Sequence, residues 1–264
     1  MKLQIVPAST GLSWVKLGVK TFFRQPLAMS GLFFMFMATV SLLSVVPVIG
    51  SAISLALVPA ATVGLMAASR EAAAGRFPMP VMLLTAFRSG AERARPMLVL
   101  GGMYAGALLL VLGLAALMGS AGGTPMELPG GEVTPEAMRT AFLSQGMWVA
   151  MLAYVPVLMA FWHAPALVHW HGVSPGKSLF FSIMACWRNK GAMLVYSLGW
   201  LGVFLLMGLM MSLLGAMLGG ASALGLIMYP MVLFMASMFH TSIYFTFRDS
   251  FDTGEPPELA EPTA

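Results

Sequence analysis

Charge is what this sequence has least of. Asp, Glu, Lys and Arg make up 9% of its 264 residues, against 59% hydrophobic residues and a mean hydropathy of +0.86. An ordinary soluble domain carries about a quarter charged residues, so the solvent for most of this chain is lipid. Cysteine is nearly missing too. A single Cys186 excludes an internal disulfide and any CxxC or Cys/His zinc framework, and a small apolar packing role accounts for it. No Asp or Glu lies within a long apolar run, which removes the usual carboxylate sites of proton- or sodium-coupled transport. No Gly-rich phosphate loop, nucleophile elbow or HExxH appears, and the segments between apolar runs are too short for a catalytic domain. The expectation is a protein that is not an enzyme and carries no cofactor. The basic excess of four is scattered between the runs rather than gathered on one face, so no nucleic acid partner is expected.

The runs themselves are long. Crossing a hydrocarbon core of ~30 Å takes ~20 apolar residues in a helix, and six stretches qualify: about 27–46, 50–69, 96–118, 146–169, 192–218 and 224–247. The fold class is therefore all-α, a single polytopic domain over 1–247. Pro47 and Gly50 turn the first span into the second, and Pro59, Pro156 and Pro165 predict kinks. Gly102 and Gly106 in the third span, and Gly215 and Gly219 in the fifth, have the small-residue spacing that lets helices approach closely. Residues 119–134 read as a Gly/Pro loop, with Thr134-Pro135-Glu136 opening the fourth helix. The tail 248–264 has five acids and three prolines and is expected to be disordered.

Three amphipathic stretches precede the hairpins. Near 11–24, Leu12, Val15, Val19 and Phe22 share a face while Lys16, Lys20 and Arg24 form an i, i+4, i+8 stripe. Residues 79–93 fit a second such helix. From the Ser174-Pro175 cap, Leu179, Phe180, Ile183, Met184 and Trp187 face one way and Lys177, Ser178, Ser182 and Arg188 the other. Each third of the chain thus repeats amphipathic helix, junction and two spans. The junctions 23–27 and 187–191 match well, while 93–97 matches less closely, and the three hairpins can pack about a pseudo-threefold axis. Thirteen of the fourteen Lys and Arg fall on one side of the six-span arrangement and only Arg139 on the other. The positive-inside rule makes that side, with both termini, cytoplasmic. With Lys2, Lys16, Lys20 and Arg24 ahead of the first run and no cleavage site after it, no cleaved signal peptide is expected.

Candidate sites follow from what is polar at membrane depth. His163 and His240 lie in spans running the same way, which places them at similar depth, and ionisable groups there are functional candidates. Two facing imidazoles can hold a haem, a metal or a polar head group, or each can bond a backbone carbonyl. Met228, Met231, Met235 and Met238 stripe the sixth span toward His240. Thioethers bind Cu(I), so His163, His240, Met235 and Met238 are the candidate ligands if a metal is present; adaptable packing is the alternative. His169, Trp170 and His171, with Trp187, Arg188 and Lys190, read as anchors at the membrane boundary.

The block HAPALVHWHGVSPGKSLFFS, followed by CWRN, resembles an uncharacterised family of bacterial, chiefly proteobacterial, six-helix integral membrane proteins. The layout is more weakly similar to the membrane domain attached to some glycerophosphodiester phosphodiesterases, whose hydrolase part has no counterpart here. The resemblance implies a bacterial inner-membrane location and brings no catalytic residues. The functional expectation is a binding or assembly module that contacts membrane lipids, or other membrane proteins, through its basic amphipathic helices. The alternatives are a small transporter or channel for an apolar or amphiphilic solute, and a haem- or copper-binding membrane protein.

Overall fold

Proline, glycine and a few amide side chains, rather than charge, divide the apolar runs into helices. The computed structural model describes residues 2–47, 49–88, 90–121, 139, 143–217 and 221–252. In chain order these form β1 (Lys2–Leu3), α1 (Thr10–Arg24), α2 (Pro26–Ser44), α3 (Ile49–Ala73), a 3-10 turn (Pro80–Leu84), α4 (Thr85–Arg88), α5 (Ala91–Ala121), α6 (Gln145–Trp162), α7 (Ala164–His171), α8 (Pro175–Arg188), α9 (Lys190–Met217), α10 (Ala221–Ser250) and β2 (Phe251–Asp252). Six segments are long and apolar enough to cross a membrane: α2, α3, α5, α6 with α7, α9 and α10. The protein is an all-α polytopic membrane protein.

The three hairpins are α2–α3, α5–α6 and α9–α10, and they are not packed equally. In the sixth span 56% of the apolar window is buried inside the protein, against 11% in the fifth, so α10 is the hub and α9 is mostly turned to lipid. A stripe of small hydroxyl residues on α10 explains the difference. Ser237, Thr241, Ser242, Thr246 and Ser250 are all buried, letting neighbours approach closely while bonding across helices, as packing in lipid requires. Ser242 Oγ pairs with Tyr196 Oη at 2.7 Å and accepts from Trp200 Nε1 at 3.1 Å. Thr246 accepts from Trp162 Nε1 at 2.9 Å. Gly18 of α1 lies against Ser242 so closely that a Cβ there would overlap it, and α1 packs along α10 and α9.

Each short element on the side of the termini docks on the hairpin before it in cyclic order: α1 on α9 and α10, the 3-10 turn and α4 on α3, α8 on α6. That much agrees with a threefold repeat. The three seams are not alike, however. The first hairpin packs closely against both others, through α3 on α5 and through α2 and α3 on α10, whereas the second and third meet through large side chains, Trp162 of α6 reaching Tyr196 on α9 and Phe239 and Thr246 on α10.

Several expectations are corrected. Residues 79–93 form a 3-10 turn and a single α turn rather than an amphipathic helix, because Pro80 opens a tight turn and Gly90 takes a positive φ of 87° just before α5. Residues 93–97 lie within the first turns of α5, so they are not a junction. The close-packing pair in that span is not Gly102 and Gly106, where an added Cβ would meet nothing within 4 Å, but Gly101, where a Cβ would overlap the Ala56 carbonyl, with Ala105 buried one turn on. The tail is ordered through Asp252: Lys2 pairs with Asp252 and Leu3 with Phe251 in an antiparallel bridge, which puts both termini on one face. The expectations for 119–134 as a loop, a helix start at 134–136, packing at Gly219 and disorder in 253–264 fall on or extend into residues outside those described.

Candidate functional site

Pro165 has no N–H to give and its ring collides with the carbonyl four residues back, so the fourth span breaks rather than kinks. The break is at His163, with φ −106° and ψ −17° between α6 and α7. Ser182 of α8 repairs it. Its Oγ accepts from His163 N at 2.9 Å and donates to Met159 O at 2.7 Å, standing inside what would be the helical i to i+4 bond. The His163 side chain is fully buried, 6.0 Å from the Phe247 ring and 5.5 Å from that of Phe251. Among the described residues neither ring nitrogen has a hydrogen-bond partner, so the expected carbonyl partner is absent there.

His240 sits elsewhere. Its ring contacts Phe33 at 4.9 Å and Phe239 at 5.7 Å, and Nδ1 is 3.0 Å from Ala236 O. Phe247, the neighbour of His163, is about two helical turns further along α10. The two histidines therefore differ in depth and share no ring neighbour, and the expectation of a facing pair is not met. Among the described residues no three His, Cys, Asp or Glu side chains gather as a metal site would need. Met235 and His240 do meet in one place, a groove of roughly 590 Å³ between α9 and α10 that Met228 and Met231 also line. Met238 turns away into the core.

On the basic face, α8 is inside out by soluble-protein standards. Ser178, Ser182, Ala185 and Cys186 are buried, whereas Phe180 and Trp187 are each 59% exposed and Phe181 and Ile183 38%. Burial pushes the Cys186 thiol up to about 12, which leaves it an inert packing group. Lys177, Arg188 and Lys190 are exposed at the two ends of the helix, the Lys190 ammonium lying 5.3 Å from the Trp187 ring centroid. Lys16, Lys20 and Arg24 are exposed along α1 beside Phe23. Most of the apolar side of α1 is not available to lipid, because Trp14, Val15 and Phe22 are buried against the protein, while Leu12 is exposed. His169, Trp170 and His171 also turn inward. His169 is 8% exposed, and Trp170 stacks on Phe247 at 5.3 Å under the Arg70 guanidinium at 5.6 Å. His171 lies 5.9 Å from that same Phe247 ring. They brace the protein rather than face the lipid.

A probable inner membrane protein of Burkholderia thailandensis is 38% identical to this chain over 261 residues, covering 97% of this chain and 96% of that protein. The chain belongs to that inner-membrane protein's family. No protein-family profile matches it, and no solved structure matches it. In this inner-membrane protein several polar residues have long-range partners that composition and spacing did not show. Arg93 donates to the carbonyls of Val168 at 3.3 Å and His169 at 2.9 Å, capping α7 where a cation suits the negative helix end. Arg24 caps α3 in the same way through Ala73 O. Asn189, at the α8–α9 junction, accepts from Val6 N at 3.0 Å and donates to Gln4 O at 3.0 Å and Ser250 Oγ at 3.4 Å, tying both termini to that face. The basic stripe marked Arg24 and the paired junction pattern marked Asn189, but neither signal showed the partner.

Proposed function

We propose that this inner-membrane protein is a non-enzymatic binding module whose basic face, on the cytoplasmic side, gathers anionic lipid headgroups. The observation that carries the reading is the orientation of α8. A short helix that buries its serines and presents Phe180, Ile183 and Trp187 outward is built to sit in the boundary of a bilayer, with aromatic bodies among the acyl chains. Lys177, Arg188 and Lys190 at its ends then lie at headgroup level, where each cation near an anionic surface contributes about 1 kcal/mol. Lys16 and Lys20 extend the same field along α1. Arg24 and Arg93 serve it less, being engaged at helix C-termini.

The reading is tested by native mass spectrometry of the protein released from bilayers of equal phosphatidylglycerol and phosphatidylcholine. The wild type should retain phosphatidylglycerol preferentially. Replacing Lys177, Arg188 and Lys190 by Gln should reduce that preference several-fold with the thermal midpoint unchanged. Equal retention of the two lipids by wild type and variant would overturn the proposal.

A further inference from the structure

The groove between α9 and α10 is independent of the basic face and has a chemistry of its own. Its walls are Phe204, Phe239 and thioethers, including Met207, Met231 and Met235. Along α10 it runs from Met228 to His240, about 18 Å at 1.5 Å per residue, more than half of a ~30 Å hydrocarbon core. Its rim is open to the side: Met228 and Val232 are 52% and 60% exposed. A molecule dissolved in the bilayer can enter it without crossing water.

The one ionisable group in the lining is His240. Nδ1 is 3.0 Å from Ala236 O, and a carbonyl oxygen only accepts, so in the neutral ring the proton is on Nδ1 and Nε2 carries a lone pair. No hydrogen bond from the described residues reaches Nε2. Hydrocarbon supplies no donor either, and an unmet polar atom at membrane depth is costly. Lipid tails fill such a groove without meeting that need.

We infer that the groove binds an elongated apolar molecule bearing a hydroxyl, of the long-chain alcohol or phenol class, whose O–H donates to His240 Nε2 while its chain lies along the methionines. The volume favours this occupant over a soft metal ion. Roughly 590 Å³ is in the range of pockets for organic ligands and far more than a single ion fills.

The test uses the full-length protein in phosphatidylcholine nanodiscs and a photoactivatable hexadecanol carrying a diazirine near the tail end. Adducts should map by mass spectrometry to 204–212 and 228–239. Unlabelled hexadecanol should compete, and hexadecyl methyl ether, which has the same chain but no donor, should compete about five-fold less well, the size expected of one interhelical-strength hydrogen bond in lipid. His240→Phe should abolish that difference and His240→Gln should keep it. Because the alcohol-against-ether comparison is made on the wild type, it stands even if a variant misfolds. Equal competition by the ether makes the groove a general acyl-chain site and overturns the proposal. So do adducts outside the groove, or stoichiometric Cu(I) uptake that blocks labelling and is lost in Met231→Leu/Met235→Leu.

Discussion

Between Met159 and His163 the helical hydrogen bond is replaced by the Ser182 hydroxyl, 2.7 Å from the one carbonyl and 2.9 Å from the other residue's amide. Removing that hydroxyl leaves the buried His163 amide unmet and Met159 O with only the weak Cys186 thiol donor at 3.8 Å, and an unmet buried group costs about 1–3 kcal/mol. Ser182→Ala should therefore lower the thermal midpoint of the detergent-purified protein clearly. Ser197→Ala should leave it nearly unchanged, since that hydroxyl only bonds Met193 O within its own exposed turn. Matching midpoints for the two variants would contradict the stitch. Pro165 made a disturbance of the fourth span legible in the sequence, but its repair was not. Ser182 belongs to another helix, where its spacing with Ser178 and Lys177 reads as a solvated face. In the same way, His163 and His240 are visible as polar groups in apolar runs, yet which of them meets a carbonyl depends on neighbours that no periodicity specifies.

At the scale of elements, the helical spans and both well-defined amphipathic helices are legible because lipid demands length and apolarity, and these are summed over many residues. Which face of a helix packs is less legible, because in a bilayer either face is apolar enough. α8 shows the consequence: the rule that puts large apolar residues inside holds in water, whereas here the small, hydroxyl-bearing face packs and the aromatic face is outward. The third span shows it at a register of one residue. A Cβ at Gly101 would overlap the Ala56 carbonyl on α3, while one at Gly102 would meet nothing within 4 Å. Gly101→Leu should force α3 and α5 apart and cost at least the 1–3 kcal/mol typical of overpacking, seen as a lowered midpoint or loss of monodisperse protein. Gly102→Leu should be tolerated, and Leu at that position adds the better helix former. If Gly102→Leu were the more damaging, the α3–α5 interface would be misassigned.

For the whole molecule, the charge asymmetry and the pairing of the termini bear on one question, which face meets the cytoplasm. Lys2 and Asp252 are bridged and Asn189 joins both ends to the start of α9, so the two termini share a side by geometry alone. We propose that this side is the cytoplasmic one, since short loops rich in Lys and Arg are retained there. Arg139 is the one basic residue expected on the opposite side, and it is exposed. Cys186 makes the assignment testable with little background, being the sole cysteine and buried with its thiol pushed up to about 12. Burial holds such a thiol in its protonated form, and thiolate is the reactive form. In intact spheroplasts a membrane-impermeant maleimide should then label Arg139→Cys and leave Lys177→Cys and Lys16→Cys untouched. After permeabilisation all three should react. Labelling of Lys177→Cys from outside would invert the molecule, remove α8 from the anionic inner leaflet and take the proposed headgroup site with it, while leaving the α9–α10 groove, which opens sideways, unaffected.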